Sequence, residues 1–245
     1  MRDYIKEFEN EINRLLKEVD EKENTNIKKA ARLIFDSMIK KQVLHVFATG
    51  HSHMFAEELF YRAGGLIQVN PILEPFLMQH EGAVSSTKYE RLEGIAKIIY
   101  EGLDLKEGEV FIIVSNSGIN AVPIEMAKIV KENNHPLIVL TSKDASKVLP
   151  PRVQDKSHLY DYGDIVIDNH APIGDSIINT KYGNIGSVSS IVGSYIAQKL
   201  VIEIVDLYEK NNLVPSIYQS ANVKGGDEHN RQAYEEYKKR IRSLY

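Results

Sequence analysis

Hydroxyl-bearing residues follow short apolar runs at several points in this sequence. "VSNSGIN", residues 114–120, places Ser115, Ser117 and Gly118 between a β-rich run and the start of a helix. Glycine lets a ligand approach the backbone closely, and the free N–H groups of a helix start attract an anion. The alternative interpretation is that Ser117 or Asn120 only caps the helix. The motif therefore predicts either an anion site or a capped turn.

Two other turns repeat the arrangement. Thr49, Gly50 and Ser52 follow "VLHVF", and Thr141-Ser142 follows "LIVL". Neither of the first two turns contains lysine or arginine, and the chain has no Gly-x-x-x-x-Gly-Lys-Ser/Thr motif. N–H and O–H groups would therefore hold the anion, which suits a phosphate monoester.

Carboxylates and histidines near these turns are the candidates for acid–base chemistry. "FAEEL" contains Glu57 and Glu58, "MQHEG" contains His80, and His170 follows the apolar run "DIVIDN". A sheltered carboxylate can move a proton between adjacent carbons of a sugar. A glutamate that merely faces solvent on a helix is the alternative for either residue.

A metal site is the competing use of the first turn, because His51 and His53 could bind a metal together with a carboxylate. The sequence has no cysteine and no recognised metal signature. We therefore expect no metal and no other cofactor.

The elements that must position these residues alternate between strands and helices. Runs of Val, Ile and Leu separated by helical patterns predict an α/β fold: a three-layer, doubly wound, five-stranded parallel sheet. Ligands of such sheets bind at the carboxyl ends of the strands, so the polar stretches 49–52, 115–120, 141–142 and 168–175 should converge there. The predicted binding residues are Gly50, His51, Ser52, Ser115, Asn116, Ser117, Gly118, Asn120, Thr141, Ser142 and Asp168.

Flanking helices complete the predicted architecture. Apolar spacing indicates amphipathic helices over about residues 2–20 and 26–40, one helix over 87–105, and a tail helix over 228–244. "SANVKGGDEHN", with His229, either caps the tail helix or closes over a site. We expect a helical extension over residues 1–30, a core domain over 31–214, and a terminal loop and helix over 215–245.

Composition narrows the class of protein. The chain has 245 residues, 43% hydrophobic and 26% charged, with a net charge of −4. The negative charge argues against nucleic acid and anionic membranes as partners. The amphipathic, acidic N-terminus does not have the pattern of a signal peptide. We therefore expect a soluble cytoplasmic protein.

These motifs resemble those of the sugar isomerase (SIS) domain family. "VSNSGIN" resembles its Ser-x-Ser-Gly-x-Thr/Asn turn, and "TGHSHMFAEEL" its first turn and helix. "GHSHMFAEELFYRAGG", "HEG" and "SANVKGGDEHN" are similar to a bacterial subgroup of phosphosugar-binding SIS proteins with no assigned reaction. The resemblance covers about residues 30–214. It implies a phosphorylated sugar as ligand and at least a homodimer.

More distantly, "FAEEL" resembles a segment of sedoheptulose-7-phosphate isomerases, which implies a catalytic role for Glu58. Its spacing from the serine turn is about one helical turn shorter here, so Glu57 stays a candidate. Those isomerases also have a histidine on the last core helix, and "SSIVGSYIAQKLV" has none. The leading hypothesis is an enzyme that acts on a phosphorylated sugar or amino sugar by enediol chemistry, either an isomerase or a related aldolase-, lyase- or deaminase-type enzyme. The alternatives are a phosphosugar sensor that acts through a protein partner, and a metal-dependent hydrolase.

Overall fold

The computed structural model describes residues 2–244, and its centre is a five-stranded parallel sheet in the order β2-β1-β3-β4-β5. The predicted fold class is confirmed. The strands are β1 (Leu44–Ala48), β2 (Val69–Ile72), β3 (Phe111–Val114), β4 (Leu137–Thr141) and β5 (Ile165–Asp168). Every residue of β1 to β4 is buried, as expected for parallel strands covered on both faces.

Helices cover both faces of the sheet. They are α1 (Tyr4–Lys22), α2 (Asn24–Met38), α3 (His53–Leu59), α4 (Gln79–Tyr89), α5 (Ile95–Glu101), α6 (Ala121–Glu132), α7 (Lys143–Val148), α8 (Ser189–Lys210) and α9 (Gly226–Glu235). Short 3-10 turns cover Gly50–Ser52, Pro75–Leu77, Leu159–Tyr162 and Arg242–Leu244.

Alternate residues of each strand feed two separate cores. Val46, Ile112 and Leu140 pack in one core with α2, α3 and α8, and this core also takes Leu15 and Val19 of α1. Phe47, Ile113 and Val139 pack in the other core with α5 and α6. The same alternation continues past each strand end and decides which face each polar residue of a turn serves.

The structure differs from the predicted elements at three places. The helix predicted over 87–105 is interrupted at Gly94, whose φ of +93° lies in the left-handed region, so α4 and α5 are separate. An antiparallel hairpin, β6 (Ser176–Thr180) and β7 (Gly183–Ser187), was not predicted. The predicted tail helix is α-helical only as far as Glu235. Within residues 2–244, no helix has the length and apolarity needed to cross a membrane.

Candidate functional site

In the turn after β3, the carbonyl groups of residues 116–119 are all bonded on one side. A left-handed residue, Gly118 with φ +63°, reverses the chain there. Donors in the segment 142–159 make four hydrogen bonds to the carbonyl groups of this turn. They are Ser142 N to Asn116 O (3.0 Å), Ser146 Oγ to Ser117 O (2.6 Å), Leu159 N to Gly118 O (3.0 Å) and Arg152 N to Ile119 O (2.8 Å). These bonds hold the backbone of the turn against the segment 142–159.

The amide groups of the same turn are left available. Within residues 2–244, the N–H groups of Ser117, Ile119 and Asn120 have no acceptor. They stand at the N-terminus of α6, where the helix dipole favours negative charge. Successive free N–H groups around a left-handed residue form an anion-binding concavity of the kind found in phosphate sites.

Only a glycine fits at position 118. A β-carbon there would lie 2.8 Å from Thr141 Oγ1 and would also clash with Ser146 Oγ. The Thr141 hydroxyl itself bonds Asn116 O (3.3 Å) and Ser146 Oγ (3.2 Å). Thr141 therefore packs against Gly118 and supports the turn, and its hydroxyl is engaged within the protein.

Other predicted hydroxyls are also engaged within the protein. Ser115 Oγ accepts from Gly118 N at 3.3 Å. Ser142 Oγ donates to Ala171 O at 2.6 Å and caps α7 by accepting from Ala145 N. These two side chains hold the turns in place. The hydroxyl groups of Ser52 and Ser117 remain available to bind a ligand.

A narrow cleft with a cavity volume of about 20 Å³, open to solvent at its mouth, lies between the turn after β1 and the end of β3. This is the position at which the strand order reverses direction, where ligands of open parallel sheets bind. The lining residues are His51, Ser52, Met54, Phe55, Val114, Asn116, Leu140, Asn169, Ser189, Ser190 and Gly193. The predicted residues His51, Ser52 and Asn116 thus share one cavity.

Asn169 fixes one wall of this cleft. Its Nδ2 donates to Asn116 Oδ1 at 2.9 Å, and its Oδ1 accepts from Ala171 N at 3.0 Å. The bond joins the ends of β3 and β5. Asn169 directly follows β5 and belongs to the stretch 168–175 that the sequence analysis expected to meet the other strand ends.

The two glutamates of α3 differ in environment. Glu57 is exposed. Glu58 is half-buried and accepts from Gln198 Nε2 at 2.6 Å and from Arg62 Nη1 at 2.9 Å. Glu58 therefore faces α8, about one helical turn beyond the cleft residue Met54.

A third carboxylate, Glu90 at the end of α4, is closer to both turns. Thr49 Oγ1 donates to Glu90 Oε2 at 2.9 Å, and Glu90 O accepts from Val122 N at 3.1 Å. Burial raises the pKa of Glu90, against the opposing effects of Thr49 and of the nearby charge of Arg152. Sequence analysis missed Glu90 because its partner Thr49 is 41 residues away and no local pattern marks it.

Arg152 brings a positive charge to the β3 turn from a distant loop. Its Nη1 donates to Asn120 Oδ1 at 2.6 Å, so Asn120 is oriented by a cation that is absent from the turn sequence itself. The Asn120 side chain makes no capping bond to its own helix.

His170 and Asp168 lie at the carboxyl end of β5. Asp168 Oδ1 accepts from Lys143 N at 3.2 Å and from His170 N at 2.9 Å. The His170 ring contacts carboxylates of Glu23 (3.6 Å), Asp168 (3.7 Å) and Glu18 (3.8 Å). The carboxylate of Glu23 and its neighbours raise the pKa of His170. This cluster ties the N-terminal helices to the sheet and does not line the cleft.

The remaining histidines are dispersed. His80 is exposed beside Glu81 at 3.7 Å. His229 is exposed and contacts Ile217 O at 2.9 Å, in the segment that pairs with Leu66 ahead of β2. His53 is buried, its Nδ1–H donates to Gly50 O at 3.0 Å, and burial lowers its pKa to about 4. His80 and His229 thus lie outside the cleft. Among residues 2–244, no group of three or more His, Asp or Glu side chains is arranged to hold a metal ion.

Larger hollows occur elsewhere on the surface. One of about 430 Å³ is lined by α5 and α6 and carries Lys97, Glu125 and Lys128. It lies on the outer side of a helix layer, away from the strand ends. The cleft at the strand ends is smaller, but the polar turns converge there.

Solved structures with the same fold include sugar-phosphate proteins. The phosphoheptose isomerase of Neisseria gonorrhoeae matches 83% of this chain and 97% of its own, with a TM-score of 0.56 and 15% identity. The NanR protein of Vibrio vulnificus, complexed with ManNAc-6P, matches 99% of this chain and 70% of its own, with a TM-score of 0.52 and 13% identity. At such identities the likeness concerns the fold.

Sequence comparison identifies the family. The model for the SIS domain matches residues 7–142. A UPF0309 protein of Thermoanaerobacter pseudethanolicus is 41% identical over 244 residues, which are 97% of this chain and 99% of the relative. The resemblance seen in the sequence motifs is thereby confirmed: the chain belongs to the SIS domain family and, within it, to the UPF0309 proteins.

Proposed function

We propose that this protein binds a phosphorylated sugar, with the phosphate on the turn after β3 and the sugar in the adjacent cleft. The free N–H groups of Ser117, Ile119 and Asn120 carry the proposal, in a turn whose carbonyls at 116–119 are bonded to the segment 142–159. The Ser117 and Ser52 hydroxyls and the Arg152 charge add to it. The isomerase and the ManNAc-6P complex with the same fold are in accord with such a ligand.

The reaction we propose is proton transfer through an enediol, as in an isomerase. Glu90 is the strongest candidate for the base, because it is half-buried, touches the β1 turn through Thr49 and has a raised pKa. A base with a pKa raised towards the working pH transfers protons effectively. Glu58 is the alternative that the resemblance implies, and Gln198 would hold it in place.

A phosphosugar sensor is the second candidate function, because α8 contains no histidine and Glu58 is bonded on both oxygens. A sensor would bind the same ligand without turnover and would act through a partner. A metal-dependent hydrolase gains no support from the described residues. The homodimer and the cytoplasmic location stay predictions.

Calorimetric titration with a panel of sugar phosphates, the matching free sugars and inorganic phosphate tests the binding proposal. We expect Ser117→Ala to weaken sugar-phosphate affinity by about 1–2 kcal/mol, the typical loss of a hydrogen bond to a charged group. Ser220→Ala, a hydroxyl in the loop before α9, is the control and should change nothing. Equal affinity for free and phosphorylated sugars would contradict the proposal.

Turnover separates the two candidate functions. Incubation of each bound sugar phosphate in deuterated water, followed by NMR, detects proton exchange at carbon. Exchange supports the enzyme, whereas tight binding without exchange of any carbon-bound hydrogen supports the sensor.

A further inference from the structure

An open groove of about 550 Å³ lies on the surface formed by α4, α5 and the 3-10 turn Pro75–Leu77. The Phe76 and Tyr89 rings meet edge to face on it, with their centroids 5.6 Å apart. Ile98, Tyr89 and Phe76 are 73%, 40% and 38% exposed. Apolar side chains that line a groove in contact with water mark an interaction surface. The α4–α5 face is defined by the apolar lining of this groove: Phe76, Tyr89, Ile95, Ile98, Ile99 and Gly102.

The two helices of this face bury little of their own surface. Within the described chain, Ser86 is the one buried residue of the 11 in α4, and α5 buries Ala96 and Ile99 among its 7. Short helices are marginal in water and owe their stability mainly to the packing of one face. A cover over the α4–α5 face would therefore stabilise both helices.

The shape of the face favours a second copy of itself as that cover. Ile98 lines the groove and is also its most exposed apolar side chain, so the face presents a ridge beside a hollow. Ile95, Ile98, Ile99 and Gly102 recur along α5 at helical spacing. If two copies of α5 cross antiparallel near Ile98, Ile95 of one copy meets Gly102 of the other, where no side chain intervenes. A surface that fits itself in this way gives a closed, two-fold symmetric dimer.

The charges around the face also allow two copies to meet. The whole chain has a net charge of −4, so two copies repel each other on average. At this face each acid has a base beside it: Glu101 lies 3.8 Å from Lys97, and Glu74 lies 3.1 Å from Arg242. In the antiparallel arrangement, Lys97 of one copy comes next to Glu101 of the other. Opposite charges then face each other across the rim, which favours this partner and this orientation.

We propose that two copies of this chain associate through the α4–α5 face, with Ile98 at the two-fold axis. Each Ile98 inserts into the groove of the other copy, beside Phe76 and Tyr89. The interface is separate from the proposed sugar-phosphate site. It covers Tyr89, however, and so holds the end of α4 at which Glu90 bonds Thr49.

Light scattering coupled to size-exclusion chromatography tests the interface. Wild type should have at least twice the mass of one chain, and Ile98→Glu should halve the wild-type mass. Two unpaired carboxylates at the centre of an interface should raise the dissociation constant by about 100-fold or more. Ile202→Glu is the matched control, because Ile202 is 65% exposed on α8, and it should keep the wild-type mass. A monomeric wild type, or an Ile98→Glu variant with the wild-type mass, would overturn the proposal.

Residue 98 also reports on the symmetry of the contact. At a two-fold axis each residue 98 faces its own copy, so a mixture of Ile98→Glu and Ile98→Lys should regain the mass that either variant alone has lost.

Cross-linking is a second measurement that does not depend on the charged variants. The chain has no cysteine, so Ile98→Cys supplies a single thiol. Oxidation with diamide should join two Ile98→Cys chains by a disulfide, since the residues face each other at the axis. Ile202→Cys should stay unlinked under the same conditions. A link in Ile202→Cys and none in Ile98→Cys would place the contact on α8 and refute the assignment.

Discussion

Thr49 donates its hydroxyl hydrogen to Glu90 Oε2 across 2.9 Å, which joins the turn after β1 to the end of α4. The Glu90 carbonyl accepts from Val122 N at the start of α6, so the same residue also touches the turn after β3. One carboxylate is therefore held between the two turns that the proposed function assigns to the ligand. Its burial raises its pKa, which favours the protonated form relative to a free glutamate.

Replacement of Glu90 by glutamine tests its role as the base. Glutamine keeps an oxygen that can accept from Thr49, so we expect the fold and the sugar-phosphate affinity to be retained. Loss of the base should reduce deuterium exchange by at least about 100-fold, the usual contribution of general-base catalysis. In wild type, exchange should rise with pH through a value above 4.5, because only ionised Glu90 accepts a proton.

Glu58→Gln and Glu57→Gln are the matched comparisons for Glu90→Gln. If Glu58→Gln abolishes exchange and Glu90→Gln does not, Glu58 is the base and Glu90 only supports the turns. Glu57 is exposed and should have no effect.

Alanine at position 118 should damage the anion turn. The left-handed backbone costs a non-glycine residue about 1–2 kcal/mol, and the β-carbon would also meet Thr141 Oγ1 at 2.8 Å. We expect a lower free energy of unfolding in denaturant and loss of measurable phosphate affinity. Relief of the clash requires movement of the turn that presents the free N–H groups.

Gly174→Ala separates the cost of the left-handed backbone from the cost of the β-carbon clash at position 118. Gly174 has a similar φ of +79°, but an added β-carbon meets nothing within 4 Å. It should therefore lose only the backbone cost and keep phosphate affinity. Equal losses of stability and unchanged binding in both variants would show that the turn at Gly118 does not hold the anion.

The strands and the location of the polar turns could be predicted because both are local features. Runs such as "FIIV" and "LIVL" are almost wholly Val, Ile and Leu, which indicates a strand covered on both faces. Since parallel strands end at one edge, residues after them must converge there. His51, Ser52 and Asn116 line the cleft for that reason.

The missed parts of the site depend on contacts between residues far apart in the chain. Arg152 reaches Asn120 from 32 residues away, and Glu90 is bonded to Thr49 from 41 residues away. Side-chain direction at a strand end also decides function, because Ser115 and Thr141 face the α6 side whereas Asn116 faces α8. Periodicity in the sequence does not show which of these hydroxyls will be consumed by internal bonds.

Arg240 and Glu109 form the bond that should matter most for stability. Glu109 is fully buried, and Arg240 donates to both of its oxygens at 2.8 and 2.9 Å. His45 donates a third bond at 3.0 Å, and the N–H groups of Val43 and Lys106 donate two more. Arg240→Ala would leave the buried carboxylate without its cationic partner, so we expect a loss of about 3–5 kcal/mol in the free energy of unfolding. Denaturant titration measures it.

Arg242→Ala is the control, because Arg242 is 77% exposed and pairs with Glu74 at the surface. Surface pairs contribute about 0–1 kcal/mol, so equal effects of the two variants would contradict the assignment.

Acid should weaken the protein through the same buried carboxylate. Burial by itself raises the pKa of Glu109, but the bonds from His45 and Arg240 outweigh it and hold the pKa below its ordinary value of 4.5. A carboxylate with a depressed pKa stabilises the fold above that ordinary value, and the contribution is lost as the pH falls below it. The wild-type melting temperature should therefore drop steeply below pH 4.5, and Glu109→Gln should flatten the drop. An equally steep curve in Glu109→Gln would assign acid lability to other groups.

Alkaline pH should loosen the N-terminal helices through His170. The carboxylates of Glu23, Asp168 and Glu18 raise its pKa above 6.5, against the opposing effect of partial burial. A raised histidine pKa adds stability that is complete below 6.5 and is lost as the pH rises through the raised value.

His170→Asn removes the ionisable ring and suits the left-handed backbone at this position, where φ is +54°. Between pH 6.5 and about pH 8, wild type should lose more melting temperature than His170→Asn, and hydrogen exchange in α1 should rise in wild type only. His80→Asn, an exposed histidine, should follow wild type. Parallel pH curves for His170→Asn and wild type would show that the charge of His170 does not hold α1 to the sheet.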